Sequence, residues 1–207
     1  MGTLLAGVES EIELHETVPM ASDDIRKHSK DWMQVVTRPL DSSPVAPELI
    51  MAPLNTHEQF VRQAIALASQ ARGEGNHPFG ALLVLDGEVV LTATNSVITD
   101  RDPTAHAETN LIARAMRHLS PDQIGRAVLY TSCEPCAMCV GKIYWARIRS
   151  VVYALSAQEL AVLAGPDFLV PCRELFLRAT EAVAVIGPML VEEARAVHVG
   201  FWTKPAA

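Results

Sequence analysis

The sequence predicts an α/β protein, a mixed sheet covered by helices on both faces. Strand-like runs of Val, Ile and Leu alternate with amphipathic helical stretches after an opening hairpin. The chain has 207 residues, enough for one domain with its own core and short for two. Hydrophobic residues make up 49% and charged residues 20%, an ordinary globular balance.

Residues 1–52 read as an N-terminal extension rather than a domain. They mix charges, carry Pro19, Pro39, Pro44 and Pro47, and offer one short helical stretch near residues 23–36. The domain proper is expected over residues 53–207. Asn55 or Thr56 suits the N-cap of a first helix reaching Arg72, with Phe60, Ala64, Ile65, Leu67 and Ala68 on its buried side. Gly73 and Gly75 end it. Asp86-Gly87 joins two strand-like runs, residues 79–85 and 89–94, as a hairpin, and Asn95 closes the second. A loop then leads to a helix over residues 105–118.

A third strand is expected over residues 127–131, and a helix over 135–146 that begins at Pro135, whose missing N–H is not needed in a first turn. Beyond it come a strand at 150–154, helical stretches at 158–164 and 172–179, a strand at 182–186 and a closing helix at 190–199. Gly165-Pro166 breaks the chain between the two helical stretches.

The formal net charge is −7 and no long run of Lys or Arg occurs. That argues against gripping a polyanion, which takes clustered cations, so nucleic acid is not the expected partner. The small cluster Lys142, Arg147 and Arg149 reads as a solvated helix end. No stretch approaches the roughly 18 apolar residues of a membrane span. Glu9, Glu11 and Glu13 precede any apolar run that could form a signal peptide, so a cytoplasmic protein is expected. Four cysteines in a chain this long do not suggest a disulfide framework, and two of them stand at metal-ligand spacing.

That pair is Cys136 and Cys139, three residues apart at a helix start and therefore on one face. A helix N-terminus stabilises thiolate, and a metal stabilises it further. Read alone, the pair could also be a redox motif or two inert cysteines. His106 tips the balance to metal: one imidazole and two thiolates hold Zn²⁺ and leave the fourth tetrahedral position to water, the pattern of catalytic zinc. Glu108, two residues on, lies about 200° around an ideal helix and cannot readily share the inner shell. From the first turn it could reach over the open position, take a proton from the water and return it to a leaving amine. Such a site suits hydrolysis at an sp² carbon bearing an amino group. Cys133 is a rival fourth ligand: if it closed the shell, the zinc would be structural.

At these residues the sequence resembles the cytidine deaminase superfamily, and within it the small zinc-dependent guanine deaminases. The resemblance is carried by His77-Pro78-Phe79-Gly80-Ala81, Asn95, the run from Asp102 to Glu108, the run from Tyr130 to Cys139, and Ile143-Tyr144-Trp145-Ala146-Arg147. It implies a three-layer α/β/α fold with a mixed five-stranded sheet between helices, and a homodimer or a higher assembly. It also implies zinc on His106, Cys136 and Cys139, with Glu108 as the proton shuttle. Asn95 would then hydrogen-bond a nucleobase, Phe79 would stack on it, and the Ala107 backbone N–H would help to hold it.

The pattern departs after residue 155. Guanine deaminases of this kind tend to carry Gly-Phe-Asp-Asp, where this chain has Gly165-Pro166-Asp167-Phe168. Asp167 could still meet the guanidine-like edge of a purine, and Phe201 and Trp202 could serve as an aromatic lid. The expected reaction is guanine to xanthine plus ammonia. The alternatives are deamination of adenosine in tRNA, of cytosine or of a nucleoside, and, from another class, a non-catalytic zinc-stabilised binding protein.

Overall fold

The computed structural model describes residues 54–165 and 169–202. The expected extension over residues 1–52, with its short helix, and Asp167 both lie outside the described residues. Helix α1 (Leu54–Gly73) leads into strands β1 (Gly80–Leu85) and β2 (Glu88–Thr94). Helices α2 (Ala107–His118) and α3 (Pro121–Arg126) precede β3 (Val128–Cys133). Next come α4 (Ala137–Trp145), β4 (Ser150–Leu155), α5 (Ala157–Ala164), α6 (Cys172–Phe176), β5 (Ala184–Ile186) and α7 (Val191–His198).

The five strands form one mixed sheet in the order β2-β1-β3-β4-β5. β1 pairs antiparallel with β2 and β3, whereas β4 pairs parallel with β3 and β5. Every residue of β1, β3 and β4 is buried, which requires cover on both faces. Alternation sorts the side chains: Leu82, Val84, Val128, Tyr130 and Val152 meet Phe60, Val61, Ala64 and Ile65 of α1 and Ala194 of α7. Residues one out of phase, Leu83 and Leu129 among them, face the other layer, where α2 lies against β1 and β2 and α4 against α2. Gly80 is required where α1 meets β1, because a Cβ there would sit 2.4 Å from Leu67 Cβ and 2.6 Å from the Ala64 carbonyl oxygen.

The elements follow the sequence reading, with ends displaced by a few residues. The expected helices at 105 and 135 begin at Ala107 and Ala137 instead, because His106 and Cys136 hold extended backbone (ψ 156° and 170°) as N-caps. Helix α3 is an addition to the expected set. Ser120 and Gln123 close a capping box around its first turn, with Pro121 inside it.

Candidate metal centre and cavity

His106 and Cys136 occupy the N-caps of α2 and α4, where Ser, Thr, Asp or Asn would normally accept a backbone N–H. Neither side chain makes a capping bond. Both point instead at one place, which Cys139 also reaches from the first turn of α4. His106 Nδ1 lies 3.6 Å from each sulfur, and the two sulfurs are 3.6 Å apart. A tetrahedral zinc at its usual bond lengths spaces sulfur from sulfur by about 3.8 Å and sulfur from nitrogen by about 3.6 Å. The donor set therefore fits this ion in number, chemistry and spacing.

Among the described residues these three form the group able to hold a metal, and Cys133 stands outside it. The rival closure by a third thiolate is not what the chain builds. Cys133 is buried, and its thiol is pushed well up by desolvation and by the nearby Glu108 carboxylate. The contact with Cys139, and after it the nearby His106, hold the Cys136 pKa down to about 4. The same contact pushes Cys139 up. His106 is raised, chiefly by its contact with Cys136 and against desolvation.

Glu108 sits in the first turn of α2, and because His106 is a cap rather than a helical residue, the ideal-helix separation of 200° does not apply. Its Oε2 lies 3.6 Å from Cys139 Sγ, and its Oε1 accepts the Thr131 hydroxyl at 3.0 Å. Burial raises its pKa above the ordinary carboxylate value, and the Cys136 charge adds to the rise.

A cavity of about 420 Å³ opens onto this group. His77 and Phe79 line it from the α1–β1 loop, His106 and Glu108 from the cap and first turn of α2, Cys133 from the end of β3, and Glu134 through Cys136 from the loop after it. Leu160, Ala161 and Ala164 of α5 and Trp202 near the end of the described chain complete the wall. Of the sequence-predicted residues, the structure thus brings together His106, Glu108, Cys136, Cys139 and Phe79. Asn95 and Ala107 are fully buried and are not among the lining residues. Asn95 follows β2, its backbone N–H bonding the Phe79 carbonyl at 3.0 Å and its Oδ1 accepting the Val97 N–H at 3.1 Å. Its Nδ2 is buried with no partner among the described residues.

Two further residues position the site and were missed as individuals in the sequence. Glu134 is buried beside the metal loop, and its carboxylate accepts the Ala157 N–H at 2.9 Å and the Cys172 N–H at 2.8 Å. It ties the starts of α5 and α6 to the loop that carries Cys136. Asn76 Oδ1 accepts the Ile98 and Thr99 N–H groups, pinning the loop after β2 to the end of α1. Neither has a sequence signal of its own, since the partners lie 22 to 38 residues away.

An α/β/α protein with a His/Cys/Cys group that fits zinc is the class that this frame and donor set define. A family model described as "Cytidine and deoxycytidylate deaminase zinc-binding region" matches residues 54–155. The chain is 37% identical over 151 residues to a Schizosaccharomyces pombe protein called "Probable cytosine deaminase", covering 69% of this chain and 90% of that one. It is 45% identical over 106 residues to a Bacillus subtilis guanine deaminase, covering 51% and 68%. A solved structure from a study of A-to-I editing by tRNA:A34 deaminases matches with 31% identity and a TM-score of 0.57, covering 68% of this chain and 99% of that chain. The chain belongs to the cytidine and deoxycytidylate deaminase family, whose members are zinc-dependent hydrolytic enzymes. Among the described residues no helix is long and apolar enough to cross a membrane.

Proposed function

We propose that this deaminase acts on a free nucleobase, converting guanine to xanthine with release of ammonia. The observation that carries the free-base reading is the cavity wall: apart from the metal-site groups, His77 and Glu134 it is aromatic and aliphatic, and among the described residues that line it there is neither Lys nor Arg to receive a phosphate. Arg147 and Arg149, the two arginines of the small basic cluster, both pair with Glu181. Guanine is supported by the 45% identity with the guanine deaminase and by the Asn95 Nδ2, which has no partner among the described residues and is a donor suited to the O6 and N7 acceptors of that base.

Zinc, when bound, supplies a Lewis acid that brings the pKa of water near neutrality. His106, Cys136 and Cys139 are its proposed ligands. Phe79 lays an aromatic face along the cavity and orients a planar base by stacking. The Glu108 carboxylate, held at Oε1 by Thr131, is placed to accept a proton at Oε2 and pass it to the departing amino nitrogen. Its desolvated setting favours keeping that proton between the two steps. Ala107 offers a first-turn N–H with no carbonyl inside its own helix, suited to a base carbonyl. Asp167 is proposed to meet the amino edge of the purine.

Ammonia release from guanine, guanosine, cytosine and adenine, each with the zinc-loaded chain, tests the proposal. Turnover of guanine is expected, and activity confined to cytosine or guanosine would remove guanine. Cytosine is the second reading, favoured by the relative that this chain matches over 90% of its length. A tRNA substrate would instead give salt-sensitive binding of tRNA. The chain is further proposed to pair as a homodimer. Met138 and Trp145 fall on one stripe of α4 and are 37% and 77% exposed, an apolar stripe on the metal helix. Light scattering after size exclusion should read twice the chain mass.

A further inference from the structure

We propose that His198 is a positioning residue for substrate binding, holding the Trp202 indole as the aromatic wall of the cavity beside Phe79 and His77. This rests on the reading that a planar base occupies that cavity. Trp202 lies beyond the end of α7, where Val199 leaves helical backbone and Gly200 turns the chain at φ 73°. A tryptophan on such a tail has two side-chain torsions free to carry it into solvent. Here its ring lies 5.4 Å from His77 and 6.1 Å from Phe79, and it lines the cavity.

What fixes the ring is its one polar atom. Indole Nε1–H is a donor only, and it donates to His198 Nδ1 at 3.1 Å. The two rings are nearly parallel, 13° apart in plane, and His198 faces Phe79 at 5.4 Å on its other contact. His198 is 2% exposed, so its own ring cannot swing away. Burial and the Arg72 guanidinium lower its pKa to about 4, which leaves the Nδ1 lone pair available. Arg72 also anchors the end of α7 by donating to the Val197 carbonyl at 2.7 Å, and it lies 5.9 Å over the Phe201 ring. The imidazole thus transmits the rigidity of the α1–α7 layer to a ring that would otherwise hang on a tail.

The test compares His198→Phe, His198→Gln, Trp202→Phe and the double variant His198→Phe/Trp202→Phe, all as full-length zinc-loaded chains. On whichever base the parent chain deaminates, His198→Phe and Trp202→Phe should each raise KM by about two- to tenfold, the worth of an aromatic contact, with kcat little changed. The double variant should be no worse than the poorer single one. His198→Gln, which restores an acceptor, should bind nearly as the parent does. A second readout is the Trp202 indole N–H resonance, assigned by its loss in Trp202→Phe and followed in a Glu108→Gln background as guanine, adenine or cytosine is added. It should shift when base binds, and in His198→Phe it should lose its protection from exchange. Effects that multiply in the double variant, a fall in kcat with KM unmoved, or a resonance that no base shifts would overturn the proposal. A parent chain that turns over none of the bases would instead sink the free-base reading, and the resonance would still decide the wall.

Discussion

His106 and Cys136 give up the capping bonds that their positions invite and aim at a common point with Cys139. Glu108 beside them is buried, desolvated and held by one hydroxyl, so its replacement by Gln should remove the proposed proton carrier without disturbing the proposed ligands. Glu108→Gln is expected to lower kcat by about 10²- to 10⁴-fold while zinc content by atomic absorption stays at one per chain. Cys133→Ser should also keep one zinc per chain, since that thiol lies outside the donor group; a loss of metal there would reopen the closed-shell reading. His198 supplies a pH dependence. Its ordinary value of 6.5 applies unfolded and about 4 folded, so between those values the unfolded chain takes a proton that the folded chain refuses. Stability from this group is complete above 6.5 and falls with pH down to 4, by on the order of 3 kcal/mol at most. Urea unfolding across that window should show a shallower acid loss in His198→Gln than in the parent. The site groups were legible in the sequence because all four fall in two pairs at short local spacings, His106 to Glu108 and Cys136 to Cys139. The His198–Trp202 bond was not: its residues are four apart, but its purpose depends on Phe79, over a hundred positions earlier.

The strands and most helices announced themselves by apolar periodicity, which survives in any chain that buries both faces of a sheet. Helix α3 escaped because six residues are too few for a period, although its capping box was written in Ser120 and Gln123. What periodicity could not supply is how close elements come. Gly80 lets α1 lie directly on β1, and Gly80→Ala should cost about 1–3 kcal/mol in urea unfolding, with helix and strand both forced to shift. Glu134 is the opposite device, one charged side chain that brings two helix starts to a loop. Glu134→Ala leaves two backbone N–H groups without their acceptor. It should cost about 2–3 kcal/mol and speed hydrogen exchange at the Ala157 and Cys172 amides before other sites.

Across the whole domain, the buried sheet provides cohesion, and a metal on His106, Cys136 and Cys139 would join only α2 to α4. Chelator treatment should therefore leave the far-ultraviolet dichroism of a folded α/β protein while lowering Tm by about 5–15 °C, the shift expected when a ligand in large excess of its Kd is withdrawn. The cavity also has two origins along the chain. The proposed metal ligands and proton carrier all lie between Leu54 and Leu155, the stretch that matches the family model. Much of the opposing wall, from α5 through Trp202, comes from the residues that follow. On the proposed roles, catalytic power comes from the first stretch and choice of base is shared, since Phe79 lies in the first stretch and Trp202 in the second. A chimera carrying another member's C-terminal third would keep the reaction and change its menu, which makes residues 156–202 the place to begin when re-tasking this enzyme.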